Sequence, residues 1–314
     1  MKNRLAKLPV SLFSSVMGMM GVGMLSRLVE KTFALPWKIS ILWGIVGIVV
    51  FTVVAILYIL KLALNFKAVK EEFSHSGAMS FFATATISTM LVGYFLQNTW
   101  SYIGEWFIII GAIAHLILTL FIFSQWVRQT HFEIHHMNPS WFIPIVGLVL
   151  IVPLGGNLFP QWALWFFLAV GGFSYVTFGA ILLYRIIFHH PLPEKLAPTL
   201  MILIAPPSAL ALSFVQLIGA PLGFAWYSIA VSFVLLLLTL VDMFMKVKFD
   251  LSWWAYTFPL ALFGNGTMAM AMVLPVLRWV GLGMAIVVNL LALGILITSL
   301  VKLFKGSLFV PSKE

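Results

Sequence analysis

The sequence predicts an all-α polytopic membrane protein: ten transmembrane helices paired as five helical hairpins, in a single transmembrane domain from residue 1 to residue 314. Three observations carry that prediction. Hydrophobic residues make up 62% of the chain and charged ones only 9%, where soluble domains carry roughly 25%. Apolar runs of about 20 residues, the length that crosses a bilayer, recur from end to end. The basic residues gather on alternate connections, the pattern expected when cytoplasmic loops hold the positive charge.

The first run, 9–29, follows Met1-Lys2-Asn3-Arg4-Leu5-Ala6-Lys7. That start has the charge of a signal peptide but no convincing small-residue cleavage site, so the run reads as a first helix kept in the mature protein. It carries Pro9, Ser11, Ser14, Ser15 and Gly18. The second, 37–64, opens after Pro36 and is smoothly apolar. The third, 77–97, holds Ala83, Thr84, Ala85, Thr86 and Ser88, and the fourth, 101–127, is smooth again. The fifth, 139–154, is short and carries Pro139, Pro144 and Pro153. The sixth, 158–187, opens at Pro160. The seventh, 197–219, contains Pro198, Pro206 and Pro207, and the eighth, 222–245, follows Pro221. The ninth, 251–274, has Pro259 after Tyr256-Thr257-Phe258, then Gly264-Asn265-Gly266. The tenth, 276–304, follows Pro275.

Four of the five even runs, all but the fourth, therefore open with proline, which a helix start tolerates. Odd runs carry proline or small residues deeper in. A broken membrane helix is tolerated where its freed backbone is buried or faces a water-filled cavity. The simplest arrangement puts the odd helices around an axis and the even ones outside, against lipid. Prolines that merely kink packed helices are the other reading of the same pattern.

With the N-terminus inside, ten spans put fourteen of the eighteen Lys and Arg residues on the inner side. Only Arg27, Lys31, Lys38 and Arg278 fall outside. Both termini are then cytoplasmic, and the net charge of +9 is explained by orientation rather than by nucleic acid. The chain has no cysteine, which excludes disulfides, thiolate metal sites and cysteine redox chemistry. His115 is the one histidine well inside a run. It reads as a packing hydrogen-bonder before a proton carrier. His131, Glu133, His135 and His136 could suit zinc by residue type, but lie in a short loop and read as solvated. No phosphate-binding loop and no Ser/His/Asp set appears. No metal, cofactor or enzymatic activity is expected.

Four stretches carry a family resemblance: "NFKAVKEEF" (65–73), "NPSWFIPIVG" (138–147), "LMILIAPPSALALSF" (200–214) and "FDLSWWAYTFPLALF" (249–263). Together they resemble the tellurite-resistance/dicarboxylate transporter family, which joins short bacterial tellurite-resistance proteins to the plant guard-cell slow anion channels. The resemblance spans essentially the whole chain. It implies quasi-five-fold symmetry of the hairpins around a central pore, a homotrimer with a pore in each subunit, and the inner membrane of a bacterium. It also implies that Phe258, positioned by Pro259, is the gate. From the residues alone Phe258 reads as an aromatic packed between helices. Long regulatory termini of the plant members are missing here, and their glycine near the start of the first helix corresponds to Ser11.

The leading expectation is a gated channel for chloride and nitrate. Small size and helix membership make Ser11, Ser14, Gly18, Ala83, Pro144, Gly147, Pro206, Ser208 and Ala209 candidates for its lining. The alternative is a secondary transporter or exporter of dicarboxylate, sulfite or tellurite-like oxyanions, which calls for a titratable group at depth. A membrane enzyme that reduces tellurite is the third and least supported reading.

Overall fold

A computed structural model describes residues 5–130 and 132–306. Lys2, Arg4 and Lys313, which are among the fourteen inner basic residues, and His131 lie outside the described residues. All regular structure among the described residues is helical. The helices are α1 (Phe13–Thr32), α2 (Ile39–Leu64), α3 (Phe66–Ser74), α4 (Ala83–Leu96), α5 (Ser101–Arg128), α6 (Phe142–Gly155), α7 (Gln161–Phe188), α8 (Ala205–Leu217), α9 (Ala220–Leu238), α10 (Val241–Lys246), α11 (Thr257–Met270) and α12 (Leu277–Phe304).

Eight helical segments among the described residues are long and apolar enough to cross a membrane, against the ten expected. The other two have physical reasons to fall short. Pro139–Gly155 is shorter. The 251–270 segment is diluted by Trp253, Trp254, Tyr256, Thr257 and the Gly264-Asn265-Gly266 step. That step does not end the helix: α11 runs through it to Met270, and Asn265 Nδ2 donates back to the Ala261 carbonyl at 2.8 Å.

Packing sorts the long helices into two shells. The segments leading into and including α1, α4 and α8 are 72%, 67% and 67% buried, whereas α2, α5, α7, α9 and α12 are 22–33% buried. Nearly every residue of α6 and α11 is buried as well. The inner helices form a closed ring: α1 packs on α4, α4 on α6, α6 on α8, α8 on α11, and α11 back on α1. Each outer helix packs on the inner helix before it in the chain and on the next one around: α2 on α1 and α4, α5 on α4 and α6, α7 on α6 and α8, α9 on α8 and α11, α12 on α11 and α1.

The inner helices share a second feature. Each is entered through a 3₁₀ segment: Val10–Leu12, Met79–Phe82, Pro139–Trp141, Glu194–Ile204 and Leu251–Tyr256. The prolines explain part of this. Pro144, Pro206, Pro207 and Pro259 all fall within the first three residues of α6, α8 or α11. There a missing N–H has no intrahelical partner to lose. Pro259 therefore marks where 3₁₀ winding gives way to α winding, rather than a break in mid-helix. Pro153 does lie inside α6.

Basic side chains near the ends of outer helices hold the peptides that feed these segments. Lys61 Nζ donates to the Leu8 carbonyl at 2.7 Å, and Lys302 Nζ to the Phe249 carbonyl at 2.7 Å. Arg185 donates to the His190 carbonyl at 2.8 Å and to that of His135 at 3.5 Å. Lys61 is only 2% exposed and pairs with Glu72 of α3 at 2.6 Å. Glu72 also accepts from Tyr58 Oη at 2.9 Å and from the Val10 amide at 2.6 Å. That amide begins the first 3₁₀ segment, where no intrahelical acceptor exists. A carboxylate 62 residues away caps it instead.

Candidate pore and its gate

Inside the ring, where 3₁₀ winding becomes α winding, lies a cavity of about 430 Å³, counting the part open to solvent. All five inner helices contribute to its wall, at matching places. Ser14, Thr84, Ile143 and Phe258 are the second residues of α1, α4, α6 and α11, and Ala205 is the first of α8. Side chains three apart share a helix face. Phe81, Ile202 and Ala255 accordingly line the cavity three residues earlier, and Met17, Ile87 and Val146 three residues later. Trp254 and Pro259 complete the wall, which contains no ionisable residue among the described residues.

Phe258 is 4% exposed. Its ring lies over Gly21 of α1, where a Cβ would fall 2.8 Å from Phe258 Cδ2. The absence of a side chain at 21 is what admits the ring. Just before it, Thr257 Oγ1 donates to the Trp254 carbonyl at 2.8 Å, and Trp254 Nε1 donates to Ser299 Oγ of α12 at 3.2 Å. The segment that bears Phe258 is thus tied to the outer shell one turn before the ring.

Of the residues named from the sequence, Ser14, Phe258 and Pro259 are on the cavity wall. Ser11 is half-buried one step before Ser14 in the 3₁₀ segment. Gly18 faces α11 instead of the cavity, and a Cβ there would meet Thr257 Oγ1 at 2.0 Å. Gly147 faces outward to α5, with the His115 ring 2.1 Å from a built Cβ. His115 is fully buried, its Nε2 2.8 Å from the Pro144 carbonyl and its Nδ1 2.7 Å from Thr86 Oγ1. The carbonyl can only accept, so Nε2 carries the proton. Ala83, Pro206, Ser208 and Ala209 are buried off the wall, and Ser208 Oγ donates to the Ile204 carbonyl at 2.8 Å. Beside the short 3₁₀ turn Ile134–His136, His135 and Glu133 approach at 3.2 Å and stay exposed.

Sequence reasoning missed the aliphatic wall of Met17, Ile87, Ile143, Val146 and Ile202. The available signal was register. Stepping by three from Phe258, and from the matching point of each odd helix, reaches most of the wall.

Residues 7–300 match the family described as SLAC1, voltage-dependent anion channel. An uncharacterized transporter from Methanocaldococcus jannaschii is 26% identical over 330 residues, covering 95% of this chain and 96% of the relative. The S-type anion channel SLAH3 of Arabidopsis thaliana is 27% identical over 273 residues, 82% of this chain but 42% of the plant protein. The tellurite resistance protein TehA homolog of Haemophilus influenzae is 29% identical over 140 residues, covering 45% of this chain and 43% of that protein. With a match across almost the whole ring of helices, the chain belongs to the SLAC1 family of voltage-dependent anion channels.

Proposed function

We propose that this protein is a gated channel for small monovalent anions, chloride and nitrate among them, with the path running down the axis of the inner helices and closed by Phe258. The observation that carries the reading is the cavity itself: every inner helix contributes to it, and an aromatic ring stands in its wall beside the 3₁₀ junction of α11. An aromatic ring across a narrow bore blocks it sterically and keeps it dry. A wall without fixed charge suits fast flux, since conduction needs binding weak enough to release the ion.

The same reading takes 139–155 and 251–270 as membrane segments, making ten, with the five repeated contacts as quasi-five-fold symmetry. The lining is Ser14, Thr84, Ile143, Ala205 and Phe258, with Ser11 continuing the register of α1 toward its start. The broad apolar outer face, including Ile45, Ile56, Ile110 and Leu290, meets lipid and neighbouring subunits of a homotrimer. Both termini are cytoplasmic, in a bacterial inner membrane. Family membership argues for transport rather than enzymatic activity.

A coupled carrier of dicarboxylate, sulfite or tellurite-like oxyanions is the second reading, favoured by the transporter named among the relatives. It needs a titratable group at depth, and His115 is held by partners on both ring nitrogens, away from the cavity wall. Voltage-clamp recording separates the two. The channel reading expects a near-silent wild type and large chloride and nitrate currents from Phe258→Ala. Silence from both, with both folded in the membrane, or flux strictly dependent on a proton gradient, would sink it.

A further inference from the structure

Two hydroxyls lie on the cavity wall, those of Ser14 and Thr84. They differ in one respect. Thr84 Oγ1 donates to the Phe81 carbonyl at 2.5 Å, so its proton is spent. Ser14 Oγ is buried and has no hydrogen-bond partner among the described residues. The hydroxyls of Ser80, Ser252 and Tyr256, in the 3₁₀ lead-ins, are also buried without a partner among the described residues, but none of them is on the cavity wall. The neighbouring Ser15 Oγ donates to the Leu12 carbonyl at 2.7 Å, and Ser208, Ser213 and Thr267 all donate to carbonyls four residues back. Leaving a buried hydroxyl unpaired is unfavourable, and alanine at this position would avoid it. Ser14 also holds the same place in α1 that Phe258 holds in α11, and the two helices are neighbours in the ring. The unused donor therefore stands level with the proposed gate.

We propose that Ser14 is a specificity-determining residue: its hydroxyl donates to the partly dehydrated anion as it passes the level of Phe258. The inference rests on the channel reading and deepens it. An anion entering an apolar constriction gives up water, and a single neutral donor restores one hydrogen bond without trapping the ion. The benefit is greatest for the anion that loses most on dehydration. Chloride is more strongly hydrated than nitrate, so the hydroxyl favours chloride, and removing it should favour nitrate.

The test compares Phe258→Ala with Ser14→Ala/Phe258→Ala, reading the nitrate-to-chloride permeability ratio from reversal potentials. Loss of one hydrogen bond to a charged species should raise that ratio by about threefold or more. Ser14→Thr in the same background should keep the original ratio, and so should Ser15→Ala, which removes a hydroxyl already bonded within the helix. An unchanged ratio in a conducting Ser14→Ala/Phe258→Ala channel overturns the proposal while the gate stands. If Phe258→Ala conducts nothing, the gate reading fails instead. Ser14 is then judged on purified protein by chloride titration of the melting temperature, since a ligand bound only to the folded state raises it. A chloride-dependent rise in wild type that shrinks in Ser14→Ala supports the site, and equal rises, or none in either, overturn it.

Discussion

At the scale of the residue, side chains of modest chemistry are separated by what they face. Phe258 and Gly21 form a complementary pair, because the ring occupies the space a side chain at 21 would take. Gly21→Ala should push the ring off its seat, with a packing cost of about 1–3 kcal/mol, and raise the resting anion current above wild type under voltage clamp. Unchanged current together with an unchanged melting temperature would remove Gly21 from the proposed gate. Phe258 and Pro259 were legible in the sequence because an aromatic-proline pair inside an apolar run is conspicuous and because a family resemblance attaches to it. Gly18 and Gly147 were legible only as small residues, and small residues in membrane helices serve close approach as readily as they line a path. Here they serve approach, to Thr257 and to His115. The aliphatic wall was not legible. In a helix apolar on all sides, hydropathy does not distinguish the face toward an axis from the faces toward neighbours.

At the scale of the element, the inner helices are set by what precedes them. Their first turns are 3₁₀, and the peptides before α1 and α11 are pinned by lysines reaching from outer helices. The sequence showed these lysines as topology signals, with nothing in their spacing to say that two of them reach carbonyls 53 residues away. The Lys61–Glu72 pair is the most buried of these contacts. Removing one partner of a buried pair costs about 3–5 kcal/mol, because the other charge is left uncompensated. Glu72→Gln should therefore lower the melting temperature in detergent sharply, whereas Lys61→Met/Glu72→Met should recover part of the loss. A double variant as unstable as the single would show that the cap on Val10, rather than the charge pair, carries the stability. His115 plays a similar role in mid-membrane, joining α5 to α4 through Thr86 and to α6 through Pro144.

At the scale of the whole molecule, the alternation of broken and smooth helices read from the sequence reappears as two shells, because burial follows the same alternation. The count of ten depended on reading short or diluted segments as spans, and 139–155 and 251–270 are the ones that length and hydropathy alone do not select. Orientation can be measured directly, since the chain has no cysteine and a single introduced thiol meets no background. Trp100→Cys, in the exposed connection between α4 and α5, should label in intact cells with a membrane-impermeant reagent. Lys67→Cys, on α3, should label only after lysis. The reverse pattern would invert the topology.

Closure of the ring by contact between α1 and α11 also has a consequence in time. The ribosome makes α1 first and reaches α11 roughly 240 residues later, which at ~5–20 residues per second is a wait on the order of ten to fifty seconds. Throughout that interval the groove of α1 that will seat Phe258 lacks the ring that fills it in the folded chain. Lipid or the insertion machinery must occupy it until the last hairpin arrives. The helix bearing the proposed plug is thus also the one that completes the ring.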